Sequence, residues 1–251
     1  PLGHPPWALA AAGLGLAALL LARAAGGAAA VGEAGGAGGG RGRLAARAAL
    51  ALALIVGLIG AAAILVPRPA PRERALVWTL FDVGQGDGML LRFPDGRALV
   101  VDGGMADPTF DQGARVIVPA LRARGVYALD AVLATHRDLD HLGGLPAIVR
   151  DVPCRWVAGP GDVPGRILAP VKQRGGAAGP ARAFEVMRGQ RILAGADYRV
   201  TCLWPPKGFR QDPRWTPNRE SVVLLLELWA VDTLRALLVG DADTLVEQEL
   251  L

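Results

Sequence analysis

The chain has 251 residues and a mass of 26.0 kDa, room for one ordinary domain plus an appendage. A composition 52% hydrophobic, with mean hydropathy +0.33, excludes disorder throughout, and only two cysteines, Cys154 and Cys202, neither in a C-x-x-C, exclude a disulfide scaffold and a thiolate zinc site. The net charge of +4 is unevenly spread, since residues 1–75 hold seven Arg against Glu33 and Glu73, and residues 150–220 hold 13 basic against 6 acidic groups. Bulk charge is therefore weak evidence for a nucleic-acid partner, and the local basic stretch is better evidence.

In chain order, residues 1–75 read as a membrane segment. Residues 44–66 run for 23 positions with Arg47 as their single charge. A helix of that length spans roughly 34 Å at 1.5 Å per residue, enough for a hydrocarbon core of about 30 Å. Arg47 can snorkel to the headgroups, and Pro67, Pro69 and Pro71 stop the helix. A buried Ala-rich core helix is the alternative. An earlier span is expected over about residues 5–22, with a Gly-rich connector between the two. Arginines flank both segments, so the charge bias leaves orientation open. Pro1 in place of Met, and a helix-like run over 243–251 at the other end, read as a piece cut from a longer protein.

Beyond Arg74 the pattern changes to short apolar runs broken by Gly, Pro and Asp. Strands are expected over 76–82, 89–93, 98–102, 131–135, 198–203, 222–228 and 234–239. Pro94-Asp95-Gly96 joins the second and third as a tight hairpin. Helical periodicity marks 112–124, and a shorter helix follows Gly144 with Pro146 in its first turn. Residues 166–191 read as long loops with a short element or two. Trp204 and Trp215 flank a basic, proline-containing segment with Lys207, Arg210 and Arg214; they pack a loop onto the core or, alternatively, stack single-stranded bases. Trp7 and Trp78 sit near the ends of the membrane segment. The order of strands and helices over 76–251 implies layered α/β packing.

Two of the three histidines of the chain fall in one run, His136-Arg137-Asp138-Leu139-Asp140-His141, between an expected strand and Gly143-Gly144. A loop that leaves a strand lets side chains converge rather than alternate. Four ligand-capable groups in six residues can then share one or two metal ions. The alternative is that they merely cap the following helix.

Thr135 to Gly144 resembles the signature loop of the metallo-β-lactamase superfamily, H-x-H-x-D-H followed by Gly-Gly, with Asp138 in place of the second histidine. That replacement, with the upstream run Asp82-Val83-Gly84-Gln85-Gly86-Asp87-Gly88, resembles one branch, the C-terminal domain of ComEC-type competence proteins, the DNA-uptake channels of bacteria. The runs 99–104, 218–223 and 237–241 follow in the expected order. The resemblance implies an αβ/βα sandwich over 76–251, truncated at its C-terminus and preceded by two membrane helices over 1–75. It implies that His136 and Asp138 bind one metal ion, Asp140 and His141 a second, and that Asp241 bridges them. Asp102 would support the ligand loop, and Asp82, Gln85 and Asp87 would form a polar turn at the mouth. No histidine follows His141, so residues 218–221, with Asn218 and Ser221, stand where the superfamily commonly places another ligand. The family's later lysine and HHGS-like segment lie beyond Leu251, so the second metal's ligand set is expected to be incomplete.

The resemblance implies a metal-dependent nuclease that cleaves DNA during uptake, with Asp140 and Asp138 as catalytic carboxylates. Its partners would be the DNA strand being degraded, the lipid bilayer, and the remaining channel domain and competence machinery. It would sit in a multi-pass bacterial cell-membrane protein, with the hydrolase on the extracytoplasmic side. Replacing an imidazole by Asp138 hardens the site and favours Mn²⁺ or Mg²⁺, with Zn²⁺ the alternative. A non-catalytic DNA-guiding or gating module, and a hydrolase of a small ester or lactam, are the competing readings.

Overall fold

The computed structural model describes residues 75–173, 181–209, 215–229 and 233–251, with eight helical residues between Arg47 and Gly57. The chain divides into two units, Pro1–Arg68 and Pro69–Leu251. In the first, Leu50, Leu52, Leu54 and Ile55 are helical and exposed. The span expected over 5–22, the Gly-rich connector, Trp7 and most of 44–66 lie outside the described residues. Among the described residues no helix is long and apolar enough to cross a membrane.

The second unit opens with β1 (Val77–Leu80), β2 (Gly88–Arg92) and β3 (Ala98–Gly103). A π-helical turn, Gly113–Ile117, runs into α1 (Val118–Ala123) and is followed by β4 (Leu129–Leu133). Next come α2 (Leu139–Leu142), α3 (Leu145–Asp151), β5 (Cys154–Gly159) and α4 (Val163–Gln173). The chain continues with β6 (Arg182–Glu185), β7 (Arg191–Ala194), β8 (Tyr198–Trp204) and α5 (Pro217–Glu220). It ends with β9 (Val223–Leu228), β10 (Leu234–Leu238) and α6 (Thr244–Leu250). One sheet has the order β1-β2-β3-β4-β5-β6, antiparallel through β3 and parallel from β3 onward. The other is antiparallel, in the order β10-β9-β8-β7.

The two-residue period of a strand divides β3 between two cores. Ala98 and Val100 pack with Ile117, Leu121, Leu145, Ile148 and Ile167 of the helical layer. Leu99 and Val101 face the second sheet, against Val200, Cys202, Leu224 and Leu226. Each such buried aliphatic side chain contributes roughly 1.5–3 kcal/mol. Outside the second sheet, α6 sets Val246 against Trp204 and Val223. Helices, sheet, sheet and helix are the layers of the expected αβ/βα sandwich. The hairpin at Pro94-Asp95-Gly96 is present, and its Asp95 carboxylate accepts a hydrogen bond from the Tyr198 hydroxyl at 2.9 Å, tying it to the second sheet.

Residues 174–180 lie outside the described residues, and the short elements expected over 166–191 are present around them. They are most of α4, all of β6 and the start of β7. Pro164, Gly165 and Pro170 hide the helix, since an interior proline costs about 3 kcal/mol in isolation. Burial of Val163, Ile167, Leu168 and Val171 on one face of α4 offsets that cost. β5 also escapes the sequence reading, because Arg155 and Gly159 interrupt its apolar run while parallel neighbours on both sides supply its hydrogen bonds. In the second sheet β9 pairs with both β8 and β10, and β10 is an edge strand. Trp204 stacks on Trp215 with ring centroids 5.2 Å apart, so this pair packs against the second sheet's outer core.

The signature loop is seated by backbones that come too close for any Cβ. A Cβ on Gly144 would lie 2.2 Å from the Gly103 carbonyl oxygen and 2.5 Å from the Gly113 nitrogen. Thus the end of β3, the π turn and the start of α3 meet at three glycines. Gly144→Ala should destabilise the folded domain by at least about 1–3 kcal/mol, the usual range for overpacking. Urea unfolding measures this; an unchanged midpoint would show that the packing there is loose.

Candidate metal centre

Asp102 is the first element of the site. It is fully buried and holds φ at +57°, a left-handed conformation uncommon for a residue with a side chain. Its carboxylate receives the Thr135 backbone N–H at 2.7 Å and the Thr135 hydroxyl at 2.7 Å. It also faces His141 Nδ1 at 2.9 Å. A carboxylate can only accept, so His141 Nδ1 carries the hydrogen and His141 Nε2 points away from Asp102.

The same bookkeeping fixes His136. The Thr135 hydroxyl has one hydrogen, which it gives to Asp102, so toward His136 Nδ1 at 3.0 Å it can only accept. His136 therefore bears its hydrogen on Nδ1 and presents a bare lone pair on Nε2. That Nε2 is buried and has no hydrogen-bond partner. Two imidazoles, with ring centroids 4.2 Å apart, are thus turned by one aspartate and one threonine to expose Nε2.

Asp241 arrives from the other sheet. It follows β10 and Gly240, whose Cβ position would be 3.0 Å from Thr135 Cβ. Its carboxylate lies 3.4 Å from His141 Nε2. One ligand atom each from His136, His141 and Asp241 falls within 4.8 Å of the others. Asp138 caps α2 with extended backbone and brings a carboxylate oxygen to 3.7 Å from His136 Nε2. Asp87, Asp102 and His141 make a second such triad, but its Asp102 oxygens are already engaged by Thr135 and His141.

The other expected residues divide. Asp140 stands partly exposed in the first turn of α2 and accepts from the Gln85 amide at 3.4 Å. The two meet because Gly86, at φ +85°, lies where a Cβ would be 1.8 Å from the Asp140 carbonyl oxygen. Asp87, half-buried, brings a carboxylate oxygen to within 4.8 Å of ligand atoms of Asp102 and His141. Asp82 accepts from the Gly84 N–H at 3.4 Å within its own turn. The Ser221 hydroxyl is buried without a hydrogen-bond partner, next to Val222, whose N–H binds the Thr135 carbonyl at 2.8 Å. Asn218 lies in α5, where its carbonyl accepts the Ser221 N–H at 3.2 Å.

Two contacts had no separate signal in the sequence. Thr135 joins Asp102, His136 and the second sheet, although only its place before the histidine marks it. Arg137 reaches the Glu220 carboxylate at 3.4 Å, joining the signature loop to α5.

Charge is concentrated here in both signs. Burial lowers the His136 pKa, and the neighbouring His141 lowers it further. Burial also acts to lower that of His141, but the Asp102 hydrogen bond and the charges of Asp102, Asp241 and Asp140 outweigh it, to about 9. Burial raises the Asp87 pKa, reinforced by Asp102 and Asp241 against the opposing histidines.

Fold and cluster together define a domain that gathers imidazoles and carboxylates beyond the strand ends of two facing sheets. The chain belongs to the metallo-β-lactamase superfamily, whose pattern it matches over residues 81–225, and divalent metal ions are implied by that membership. It is 30% identical to ComE operon protein 3 of Bacillus subtilis over 191 residues, 68% of this chain and 23% of that protein. It is 39% identical to Competence protein ComA of Neisseria gonorrhoeae over 82 residues, 33% of this chain and 11% of that protein. A 98-residue stretch, 39% of this chain, is 32% identical to hydroxyacylglutathione hydrolase of Xylella fastidiosa and covers 30% of it. The chain thus spans less than a third of each of these relatives. Among solved structures, the metallo-β-lactamase SMB-1 is similar at a TM-score of 0.45 and 17% identity, covering 68% of this chain and 64% of that one.

The donor set suits a divalent cation. His136 Nε2 is a buried lone pair without a proton donor, and a neutral His141 Nε2 would confront an Asp241 oxygen as acceptor against acceptor. A proton or a metal ion between them relieves that conflict.

In metal-free protein the His141 proton is the stabilising partner. Its folded pKa of about 9 exceeds the ordinary 6.5, so its contribution is complete below about pH 6.5 and lost as pH rises to about 9. Urea unfolding in chelator should therefore show stability falling across that window, and His141→Asn should flatten the decline. A stability that rises over the same window would contradict this charge assignment. Asp102→Ala should weaken metal affinity by about 10–100-fold, measured by calorimetric titration; unchanged affinity would show that the histidines hold their orientation without it.

Proposed function

We propose that the domain is a metal-dependent phosphodiesterase that degrades DNA during its uptake across a bacterial membrane, as part of a ComEC-type competence protein. The observation that carries the reading is the ligand chemistry: Asp138 stands beside His136 Nε2 at 3.7 Å. Carboxylate oxygens shift preference toward the harder Mn²⁺ or Mg²⁺, the ions of phosphoryl chemistry, with Zn²⁺ the softer alternative. Similarity to ComE operon protein 3 and to Competence protein ComA supports the setting. So does the uncharged stretch 48–66, read with 5–22 as two membrane spans bearing the domain on the extracytoplasmic side, beside the channel domain and competence machinery.

His136, Asp138, His141 and Asp241 would hold one or two divalent ions, which supply Lewis acidity to a phosphodiester oxygen and lower the pKa of an attacking water. The residues of the chain do the positioning. Asp102 and Thr135 fix both ring tautomers. Asp140, partly exposed and steadied by Gln85, would take the proton of the attacking water as the water oxygen bonds to phosphorus and the leaving oxygen departs with the electron pair of its broken bond, to be protonated in turn. The Ser221 hydroxyl, buried and without a hydrogen-bond partner, would be the oxygen offered by the segment where the superfamily commonly places a further ligand.

With Mn²⁺ or Mg²⁺, the purified protein should cleave DNA. Asp140→Ala should lower the rate by about 10²–10⁴-fold while DNA binding persists. Normal cleavage by that variant would overturn the role of Asp140. Binding with no metal-dependent cleavage by the unaltered protein would favour a guiding or gating module. The match to hydroxyacylglutathione hydrolase favours a second reading, a small acylated substrate. Hydrolysis of hydroxyacylglutathione with no action on DNA would establish it.

A further inference from the structure

Away from the cluster, the two sheets part at one edge and leave a slot. It has a volume of about 240 Å³ and is lined by Ala131, Trp156, Ala158, Phe184, Arg191 and Ile192. Drug-sized pockets run to roughly 300–1,000 Å³, so this one suits a single ring system. Its position follows from strand register. Ala131 pairs with Trp156, Trp156 with Arg182, and Ala158 with Phe184, which sets these side chains in rows on one face of the large sheet. β6 is the edge strand of that sheet and β7 the edge strand of the other, so the slot opens to solvent between them.

Its chemistry is aromatic and cationic at once. Trp156 and Phe184 meet edge to face, with centroids 6.2 Å apart. The Arg182 and Arg155 guanidinium carbons lie 5.7 and 6.0 Å from the Trp156 ring centroid. Arg191 lines the slot from the opposite sheet. Arg155, Arg182 and Arg191 are exposed and make no ion pair with a carboxylate among the described residues. Elsewhere in the domain arginines do find carboxylates, as Arg97, Arg150 and Arg199 show. Three guanidinium groups left unpaired around an aromatic pair form a receptor for a flat apolar ring that carries an anion.

We infer that this slot binds single-stranded DNA, one base entering against Trp156 and Phe184 while backbone phosphates rest on Arg155, Arg182 and Arg191. The inference rests on the reading of the domain as one that acts on DNA, and gives it a binding surface separate from the metal cluster. A base offers a π face to the rings whatever its identity, so binding is indifferent to sequence. A duplex keeps its bases stacked inside, which makes the slot selective for single strands.

The test measures binding of a fluorescent oligothymidylate to the whole chain in chelator, where cleavage cannot occur. Arg182→Gln and Arg191→Gln should each weaken binding, and each guanidinium withdrawn from a phosphate should reduce the slope of log affinity against log salt by about 0.7. Trp156→Ala should cost on the order of ten- to a hundredfold, and Trp156→Phe should restore most of it. Should Trp156→Ala fail to fold, the two arginine variants and Trp156→Phe still decide the matter. Unchanged affinity and slope in both arginine variants would overturn the proposal. So would inorganic polyphosphate competing as well as the oligonucleotide, which would reduce the slot to an anion patch. Cleavage of a small chromogenic phosphodiester with Mn²⁺, measured in parallel, should be equal in all variants. Absence of that activity in the unaltered protein, with oligonucleotide binding intact, would defeat the nuclease reading and leave the slot standing.

Discussion

The buried carboxylate of Asp102 organises the centre, because it can only accept hydrogen bonds and has three donors to satisfy it. It takes the Thr135 backbone N–H and hydroxyl and the His141 Nδ1 hydrogen. Each bond has a consequence one atom further on. The Thr135 hydroxyl, having given its hydrogen away, must accept from His136, so His136 is left with a bare Nε2, while His141 turns its Nε2 toward Asp241 for a proton or a metal ion. A neutral residue at position 102 would leave those tautomers unspecified. The left-handed backbone at Asp102, φ +57°, is the conformational cost of aiming the carboxylate there.

Thr135 carries the constraint from one sheet to the other. Its carbonyl accepts the Val222 N–H at 2.8 Å, so the chain entering β9 is registered against the loop leaving β4. Gly240, past the end of β10, abuts the same threonine. Asp241 therefore reaches His141 by a path through Thr135 and the β9–β10 pairing, not through any local sequence neighbour. Arg219 adds a brace, since its side chain binds Asp243, the residue that caps α6, at 2.8 Å.

The electrostatics of the centre and of the slot are of opposite kinds. At the centre, Asp87, Asp102, Asp138 and Asp241 surround two histidines; the carboxylates lift the pKa of His141 against burial, and burial, with Asp102 and Asp241, lifts that of Asp87. Such a field favours a cation. At the slot, three unpaired arginines border two aromatic rings, and the field favours an anion. Under the proposed function, a polyanionic strand would suit both surfaces.

Much of this was legible in the amino-acid sequence, for definite reasons. His136, Asp138, Asp140 and His141 are close in the chain, and local proximity survives folding. The hairpin at Asp95-Gly96 and the strands β1 to β4 announce themselves by turn chemistry and by short apolar runs bounded by Gly, Pro and Asp. The second glycine of the pair after His141 was visible as a motif, but its function, a three-way backbone approach with Gly103 and Gly113, belongs to residues distant in sequence. α4 and β5 were hidden because prolines, glycines and an arginine break their patterns, and burial against neighbouring elements overrides such local preferences. Tertiary structure alone decided that Asp87 enters the cluster, that Asp140 meets Gln85, and that Trp156, Phe184 and Arg191 border one opening. Residue type and short spacing determine which groups are available for chemistry; which atoms of them face one another is settled only when the two sheets close, because that depends on register and on hydrogen bonds between segments far apart in the chain.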